Sequence, residues 1–168
     1  MLVRWSELGM AWFTDEMLGT EQQVSGFVHS GQYHEVGSFA EYLKVDGELA
    51  WHIPQMIADS KAANYGILAV TAMFVLVYLD VAWENIVSGT IRQSPADPSI
   101  LIYSSGSNVG LFAIQLTKRT GLHVIITALR RSFDLVKRYG TDSVLDYQSP
   151  AAASEISEAY PNIIKSLD

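Results

Sequence analysis

The feature that most constrains the fold is an alternation of short apolar runs and amphipathic runs that begins at residue 99. Residues 100–103 form a continuous apolar run, as expected of a strand buried on both faces. Residues 108–120 follow with apolar side chains at the spacing of one helical face, and Gly121 is placed to end that helix. Residues 123–127 are a second buried strand. Repeats of strand, helix and strand predict a parallel sheet with right-handed crossovers, and hence an α/β fold.

The same alternation continues to the end of the sequence. Ser132 is expected to cap a second helix that turns Leu135, Val136 and Tyr139 inward and ends at Gly140. The remaining elements predicted here are a third strand, a third helix and the start of a fourth strand, at residues 143–146, 154–160 and 163–164.

The first half of the chain has a different pattern. Residues 24–54 read as β structure, with strands expected over residues 39–45 and 51–54. Residues 56–83 read as a helix, with Asp59 or Ser60 as its cap. The predicted divisions are a β-rich lobe, a helix with a proline-containing linker, and the α/β sheet, at residues 1–55, 56–98 and 99–168.

Residues 62–79 carry no formal charge, and this length is at the lower edge of a membrane span. Asn64, Gly66 and Thr71 interrupt the segment, and no basic cluster flanks it. We therefore expect a helix buried inside protein and no membrane span. Hydrophobic residues make up 49% of the chain and charged residues 17%, which excludes a disordered chain.

Charge and composition narrow the function classes. The formal net charge is −7, which disfavours nucleic-acid binding because phosphate contacts need a basic face. The absence of cysteine excludes a disulfide scaffold, a thiolate nucleophile and a cysteine-bound zinc. The four histidines lack metal-ligand spacing, so no metal site is expected. Ser107 lies between a strand and a helix, but the G-x-S-x-G pattern of hydrolases is not met. With no leader and no N-glycosylation site, we expect a cytoplasmic protein.

The turn after the first strand of the sheet is rich in small residues. A strand, a tight turn and a helix N-terminus together form a phosphate site, because free backbone N–H groups point at the anion. The turn over residues 104–110 lacks the G-x-G-x-x-G pattern, and only Gly110 stands where a fingerprint glycine belongs. The alternative is a tight turn that binds no ligand.

Two arginines follow the second strand. A cofactor without a 2′-phosphate usually meets an acidic residue at this position, whereas Arg130 and Arg131 suit a phosphate. The alternative is a solvated surface pair. Because this loop and the glycine turn follow neighbouring parallel strands, both lie at one edge of the sheet. Together they predict binding of a phosphorylated dinucleotide, with NADPH preferred over NADH.

Residues 100–147 resemble the cofactor domain of the medium-chain dehydrogenase/reductase superfamily. Residues 37–54 and 66–79 resemble the end of its GroES-like catalytic domain and the helix that follows. Within the superfamily, the sequence is similar to fungal trans-acting enoyl reductases of polyketide biosynthesis. The resemblance implies a partial GroES-like lobe followed by a partial Rossmann sheet, without zinc.

The resemblance also implies site residues. Those implied for NADPH are Ser105, Gly106, Ser107, Asn108, Val109, Gly110, Leu129, Arg130, Arg131, Ser132 and Tyr147. Those implied for the substrate are Gly66, Ile67, Leu68, Ala69, Val70, Thr71, Ala72 and Met73. No residue is indicated as the proton donor.

The implied activity is NADPH-dependent reduction of an α,β-unsaturated thioester carried by a polyketide synthase. That synthase is also the expected protein partner. The alternative is a truncated, inactive paralogue or gene fragment that acts as a binding or scaffold partner.

Overall fold

The computed structural model describes residues 3–4, 23–28, 45, 47–81, 98–103 and 106–167. The chain divides into two compact units, Met1–Ile67 and Leu68–Asp168. The strand predicted over residues 39–45 lies outside the described residues apart from Val45, and the predicted linker lies outside them apart from Pro98.

The first unit contains a small antiparallel sheet. Its strands pair in sequence order, each with the next. They are β1 (Val3–Arg4), β2 (Gln23–Gly26) and β3 (Ala50–His52). The buried hydroxyl of Ser25 donates to the carbonyl of Ala62 at 2.8 Å, which ties β2 to the following helix. β3 therefore overlaps the strand predicted over residues 51–54, and β2 lies at the start of the β region predicted over residues 24–54.

The predicted helix is divided into three parts. They are α1 (Asp59–Asn64), a π-helical turn (Tyr65–Ala69) and α2 (Val70–Tyr78). The expected cap is wrong, because α1 begins at Asp59 and Ala58 occupies the cap position without a side-chain hydrogen bond. Asp59 lies in the first turn instead, where a carboxylate complements the helix dipole.

The break in this helix occurs at Gly66, which lies against the backbone of β2. Gly66 is buried and has φ −53° and ψ −105°, outside the helical range. A Cβ atom added to it would stand 2.6 Å from the carbonyl oxygen of Gly26. The close approach of these two backbones therefore requires glycine at position 66.

The second unit is a four-stranded parallel sheet, which confirms the predicted α/β fold. The strands are β4 (Ser99–Ile102), β5 (His123–Ala128), β6 (Ser143–Asp146) and β7 (Ile163–Leu167). They lie in the order β6-β5-β4-β7, and every neighbouring pair is parallel. The helices are α3 (Asn108–Lys118), α4 (Phe133–Arg138) and α5 (Ala152–Ala159).

The core of the second unit lies between its helices and strands. Residues from β4 and β5 are fully buried together with residues from α2, α3 and α4, as expected of strands covered on both faces. They include Leu76, Ile100, Ile114, Ile126 and Val136. Each such side chain contributes about 1.5–3 kcal/mol relative to its exposed state.

One face of α2 is buried and the other is exposed. Ala72 and Leu76 lie in the core, whereas Phe74 and Tyr78 are 71% and 90% exposed. Among the described residues, the expected burial of this helix inside protein is therefore met on one face only. Asp59–Tyr78 is long and apolar enough to cross a membrane, a test that buried helices also pass. The absence of a membrane span stays a prediction.

The observed ends of α3 and α4 can be compared with the predicted helix ends at Gly121 and Gly140 and the predicted cap at Ser132. Gly121 and Gly140 have φ of 84° and 97°, so each ends its helix in the left-handed conformation as predicted. Ser132 is wrong as a side-chain cap, because a 3₁₀ turn (Arg130–Ser132) leads directly into α4. Tyr139 is 38% exposed because it lies beyond the last turn of α4.

A lysine of β7 closes the end of α2. The ammonium group of Lys165 donates to the carbonyl of Leu79 and, at 2.6 Å, to that of Asp80. These carbonyls lie just past the last turn of α2, where a cation complements the helix dipole. The fourth predicted strand is therefore present and joined to α2 by this lysine.

We expect Thr117→Val to raise the free energy of unfolding by about 1 kcal/mol. The hydroxyl of Thr117 is buried and has no hydrogen-bond partner within the described residues, and valine has nearly the same shape. The measurement is urea unfolding followed by circular dichroism.

Thr120→Val is the matched control. Its hydroxyl donates to the carbonyl of Thr117 at 2.7 Å. Losing that bond should lower the free energy of unfolding by about 0.5–1.5 kcal/mol. Equal destabilisation by the two substitutions would contradict the account of Thr117.

Candidate functional site

The carboxyl ends of β4, β5 and β6 form one edge of the sheet. Ile102 pairs with Ile126, and Ala128 pairs with Asp146, so the turn after β4 and the loops after β5 and β6 emerge side by side. Open parallel sheets bind ligands outside the carboxyl ends of their strands. The register therefore brings three loops to the edge at which a ligand is expected.

The glycine turn, described from Gly106 to Gly110, and the arginine loop, residues 129–132, approach each other at Gly106. A Cβ atom added to Gly106 would lie 3.4 Å from the hydroxyl oxygen of Ser132 and 3.6 Å from its Cβ. Two predicted site residues, Gly106 of the turn and Ser132 of the loop, therefore lie next to each other in the second unit. Ser105, the first predicted residue of the turn, lies outside the described residues.

The N-terminus of α3 follows Gly106 directly. Ser107 is its cap, and its hydroxyl accepts a hydrogen bond from the N–H of Gly110 at 3.1 Å. Asn108 and Val109 form the start of the helix, while Gly110 is buried. The first N–H groups of a helix carry its positive end, which favours an anion at this position.

The arginines after β5 differ in their surroundings. The Nε of Arg130 donates to Oδ2 of Asp146 at 2.8 Å, and the two groups form an ion pair. Arg131 is exposed and has no hydrogen-bond or ion-pair partner within the part of the chain that the structure describes. Leu129 precedes them at the cap position of the 3₁₀ turn without a side-chain hydrogen bond.

The carboxyl group of Asp146, at this edge of the sheet, has a lowered pKa. The hydrogen bond from Arg130 and that from the N–H of Gln148, at 3.0 Å, hold the pKa of its carboxyl below its usual value. Its carboxylate is therefore charged at neutral pH.

Two tyrosines accompany the charged residues. The ring of Tyr147, a predicted site residue after β6, lies 6.0 Å from the ring of Tyr103, centroid to centroid. Tyr103 follows β4 and is 44% exposed. The sequence reasoning did not single out Tyr103 or Asp146. The available signal was their position, since each stands at the carboxyl end of a predicted strand.

The residues implied for the substrate lie along the divided helix. Gly66, Ile67, Leu68 and Ala69 belong to the π-helical turn, and the remaining four, Val70 to Met73, begin α2. Ala72 is fully buried in the core of the second unit, so its methyl group packs on protein.

The described residues at the sheet edge fit a dinucleotide cofactor. The N-terminus of α3 suits a pyrophosphate, and the small residue at Gly106 leaves the turn open to close approach. Arg131 offers an exposed guanidinium to a further phosphate. The described residues contain no group of three or more side chains able to hold a metal ion.

No protein-family model matches the chain. Curated relatives nevertheless align with most of it. It is 33% identical over 130 residues to trans-enoyl reductase RAP1 of Pyricularia oryzae, covering 77% of this chain and 35% of that protein. It is 34% identical over 150 residues to enoyl reductase cheB of Chaetomium globosum, covering 85% of this chain and 39% of that protein. The chain thus spans between a third and two fifths of the length of these two relatives.

Solved structures agree in fold. An NAD-dependent alcohol dehydrogenase has a TM-score of 0.60 at 26% identity, over 75% of this chain and 34% of that one. A quinone oxidoreductase from Coxiella burnetii has a TM-score of 0.58 at 20% identity, over 80% of this chain and 38% of that one. The curated relatives at 33% and 34% identity, together with the shared fold of these structures, show that the chain belongs to the medium-chain dehydrogenase/reductase superfamily.

Proposed function

We propose that the protein acts as an NADPH-dependent trans-acting enoyl reductase. Its substrate would be an α,β-unsaturated polyketide thioester carried by a polyketide synthase, and its compartment the cytoplasm. The likeness to fungal trans-enoyl reductases supports the reaction class. The observation that carries the cofactor assignment is the meeting of the glycine turn with the arginine loop at Gly106 and Ser132.

Each part of the site has a role in this proposal. The N-terminus of α3, from Ser107 to Gly110, binds the pyrophosphate, and Ser105 contributes to the same turn. Arg131 binds the 2′-phosphate, with Leu129, Arg130 and Ser132 shaping the loop around it. Tyr147 follows Asp146, which pairs with Arg130 of this loop, and is proposed to pack on the adenosine side of the cofactor.

The reduction needs a hydride and a proton. NADPH, when bound, supplies the hydride that ends on the β-carbon of the enoyl thioester. Residues Gly66 to Met73, apart from the buried Ala72, are proposed to orient the thioester. The α-carbon takes its proton from water or from a side chain that we do not assign. The contribution of this chain is therefore positioning of cofactor and substrate.

Calorimetric titration of the purified chain with NADPH and with NADH tests the cofactor assignment. We expect NADPH to bind more tightly, because only NADPH carries a 2′-phosphate for Arg131. Absence of NADPH binding at millimolar concentration would refute the proposal.

A second measurement tests turnover. With a carrier-bound enoyl thioester, absorbance of the reduced nicotinamide should fall, and a saturated thioester serves as the matched control. Binding of NADPH without this fall would leave a cofactor-binding protein in place of an enzyme.

A further inference from the structure

Of the two arginines after β5, Arg130 is bound by a carboxylate and Arg131 is not, within the described residues. Asp146 accepts from Arg130 at 2.8 Å through one oxygen and from the N–H of Gln148 at 3.0 Å through the other. The side chain of Asp146 is 16% exposed, whereas that of Arg130 is 84% exposed. The carboxylate is therefore fixed in place, and it holds one end of a guanidinium that otherwise faces solvent. Arg131 has no such partner within the described ranges.

The strand register explains the difference. Asp146 is the Cα partner of Ala128 at the carboxyl ends of β6 and β5, and Arg130 follows Ala128 by two residues. In the 3₁₀ turn that contains both arginines, successive side chains project about 120° apart. Arg131 is therefore directed away from the carboxylate that Arg130 meets.

We propose that Asp146 is a specificity-determining residue, which withholds Arg130 from the cofactor so that Arg131 alone of the two arginines binds the 2′-phosphate. This inference rests on the proposed function. Asp146 acts in two ways: it occupies the Nε donor and offsets the charge of Arg130, and its own negative charge repels a phosphate dianion nearby. Preference for NADPH over NADH is then weaker than two free arginines would give.

The state of the carboxylate supports this role. Its hydrogen bonds to Arg130 and Gln148 keep the pKa of Asp146 below the usual value, so the negative charge is present throughout the neutral range. Removing that charge should strengthen binding of a 2′-phosphate. Two unit charges about 6 Å apart in water interact by roughly 0.7 kcal/mol, which for a dianion corresponds to about a three- to tenfold change in affinity.

The test compares two ligands that differ only in the 2′-phosphate, adenosine 2′,5′-bisphosphate and adenosine 5′-phosphate, by calorimetry on the full chain. We expect Arg131→Gln to lower the affinity for the bisphosphate about tenfold and Arg130→Gln to lower it less than about threefold. Asp146→Ala should tighten the bisphosphate by about three- to tenfold. The 5′-phosphate should bind all variants equally.

A double variant distinguishes the two effects of Asp146, which are the withholding of Arg130 and the repulsion of the phosphate. In Asp146→Ala/Arg131→Gln the released Arg130 should restore part of the affinity that Arg131→Gln loses. Arginine Nε–Hε resonances of the unmodified chain give a readout that needs no variant to fold. On addition of the bisphosphate, the Arg131 signal should shift and the Arg130 signal should stay in place.

The outcomes distinguish the inference from the function on which it rests. If the unmodified chain binds the bisphosphate no better than the 5′-phosphate, the proposed cofactor assignment fails, and the inference fails with it. A different outcome is that the unmodified chain binds the bisphosphate more tightly than the 5′-phosphate. In that case only the inference is overturned if Arg130→Gln loses as much affinity for the bisphosphate as Arg131→Gln, or if Asp146→Ala lowers this affinity.

Discussion

Gly66→Ala is expected to lower the free energy of unfolding of the first unit by about 1–3 kcal/mol. The added Cβ would stand 2.6 Å from the carbonyl oxygen of Gly26, and this neighbour is backbone that no side-chain rotation can move. Either β2 or the π-helical turn must shift. Urea unfolding, combined with hydrogen exchange of the Ile53 amide that bonds to Gln23 at 3.0 Å, measures the effect where it arises.

Gly106→Ala is the matched control. Its added Cβ would lie 3.4 Å from the hydroxyl oxygen of Ser132, an ordinary contact, so stability should change by no more than about 0.5 kcal/mol. If Gly66→Ala proved as mild as this control, the close approach of the two backbones would be refuted. The comparison isolates the contact, because both substitutions add the same methyl group.

The double substitution Arg130→Ala/Arg131→Ala is expected to weaken NADPH binding about 10- to 100-fold and to leave NADH binding unchanged. The basis is the loss of charge-assisted hydrogen bonds to the 2′-phosphate, worth about 1.5–3 kcal/mol. Calorimetric titration with each nicotinamide dinucleotide measures both affinities on one preparation. An equal loss for the two cofactors would show that the arginines do not contact the 2′-phosphate.

Lys137→Ala/Arg138→Ala is the control for net charge. These residues lie in the last turn of α4, are exposed, and carry the same total charge as the arginine pair. If long-range attraction by positive charge were responsible, both double variants would bind NADPH more weakly. Added salt would then reduce their difference from the unmodified chain, because salt screens this attraction. A loss confined to the variant at positions 130 and 131 would identify local contacts.

The sheet was predictable because each of its strands has its own local signal. The apolar runs at residues 100–103 and 123–127 are followed by helical periods, and this alternation requires no knowledge of distant contacts. The helix ends at Gly121 and Gly140 were predictable for the same reason. In each, a glycine adopts a positive φ, as helix C-termini favour.

The features that the sequence analysis missed depend on register and tertiary packing. The pairing of Arg130 with Asp146 follows from the alignment of β5 with β6, which a single strand pattern does not specify. The break at Gly66 follows from the approach of Gly26, a residue on a separate strand. Ser132 stands at the cap position of α4 but makes no side-chain capping bond, because a 3₁₀ turn leads into the helix.

The position of β7 bears on the order in which the second unit folds. This strand follows the other three strands of the sheet along the chain, yet it pairs with β4, the first of them, and its Lys165 reaches Leu79, 86 residues earlier. Contacts over such separations form late, because the closure of a long loop is costly. During synthesis, β4, β5 and β6 leave the ribosome with their crossovers before β7 does.

Pulse-labelled hydrogen exchange during refolding can detect this order. The amide of Tyr103, which donates to Leu167 at 2.7 Å, should gain protection after the amides of β5. Simultaneous protection would mean that the four strands assemble in one step. If β7 is late, a nascent chain keeps one side of β4 and the carbonyls at the end of α2 without these partners until residue 167 has emerged, and that interval is when it is most exposed to aggregation.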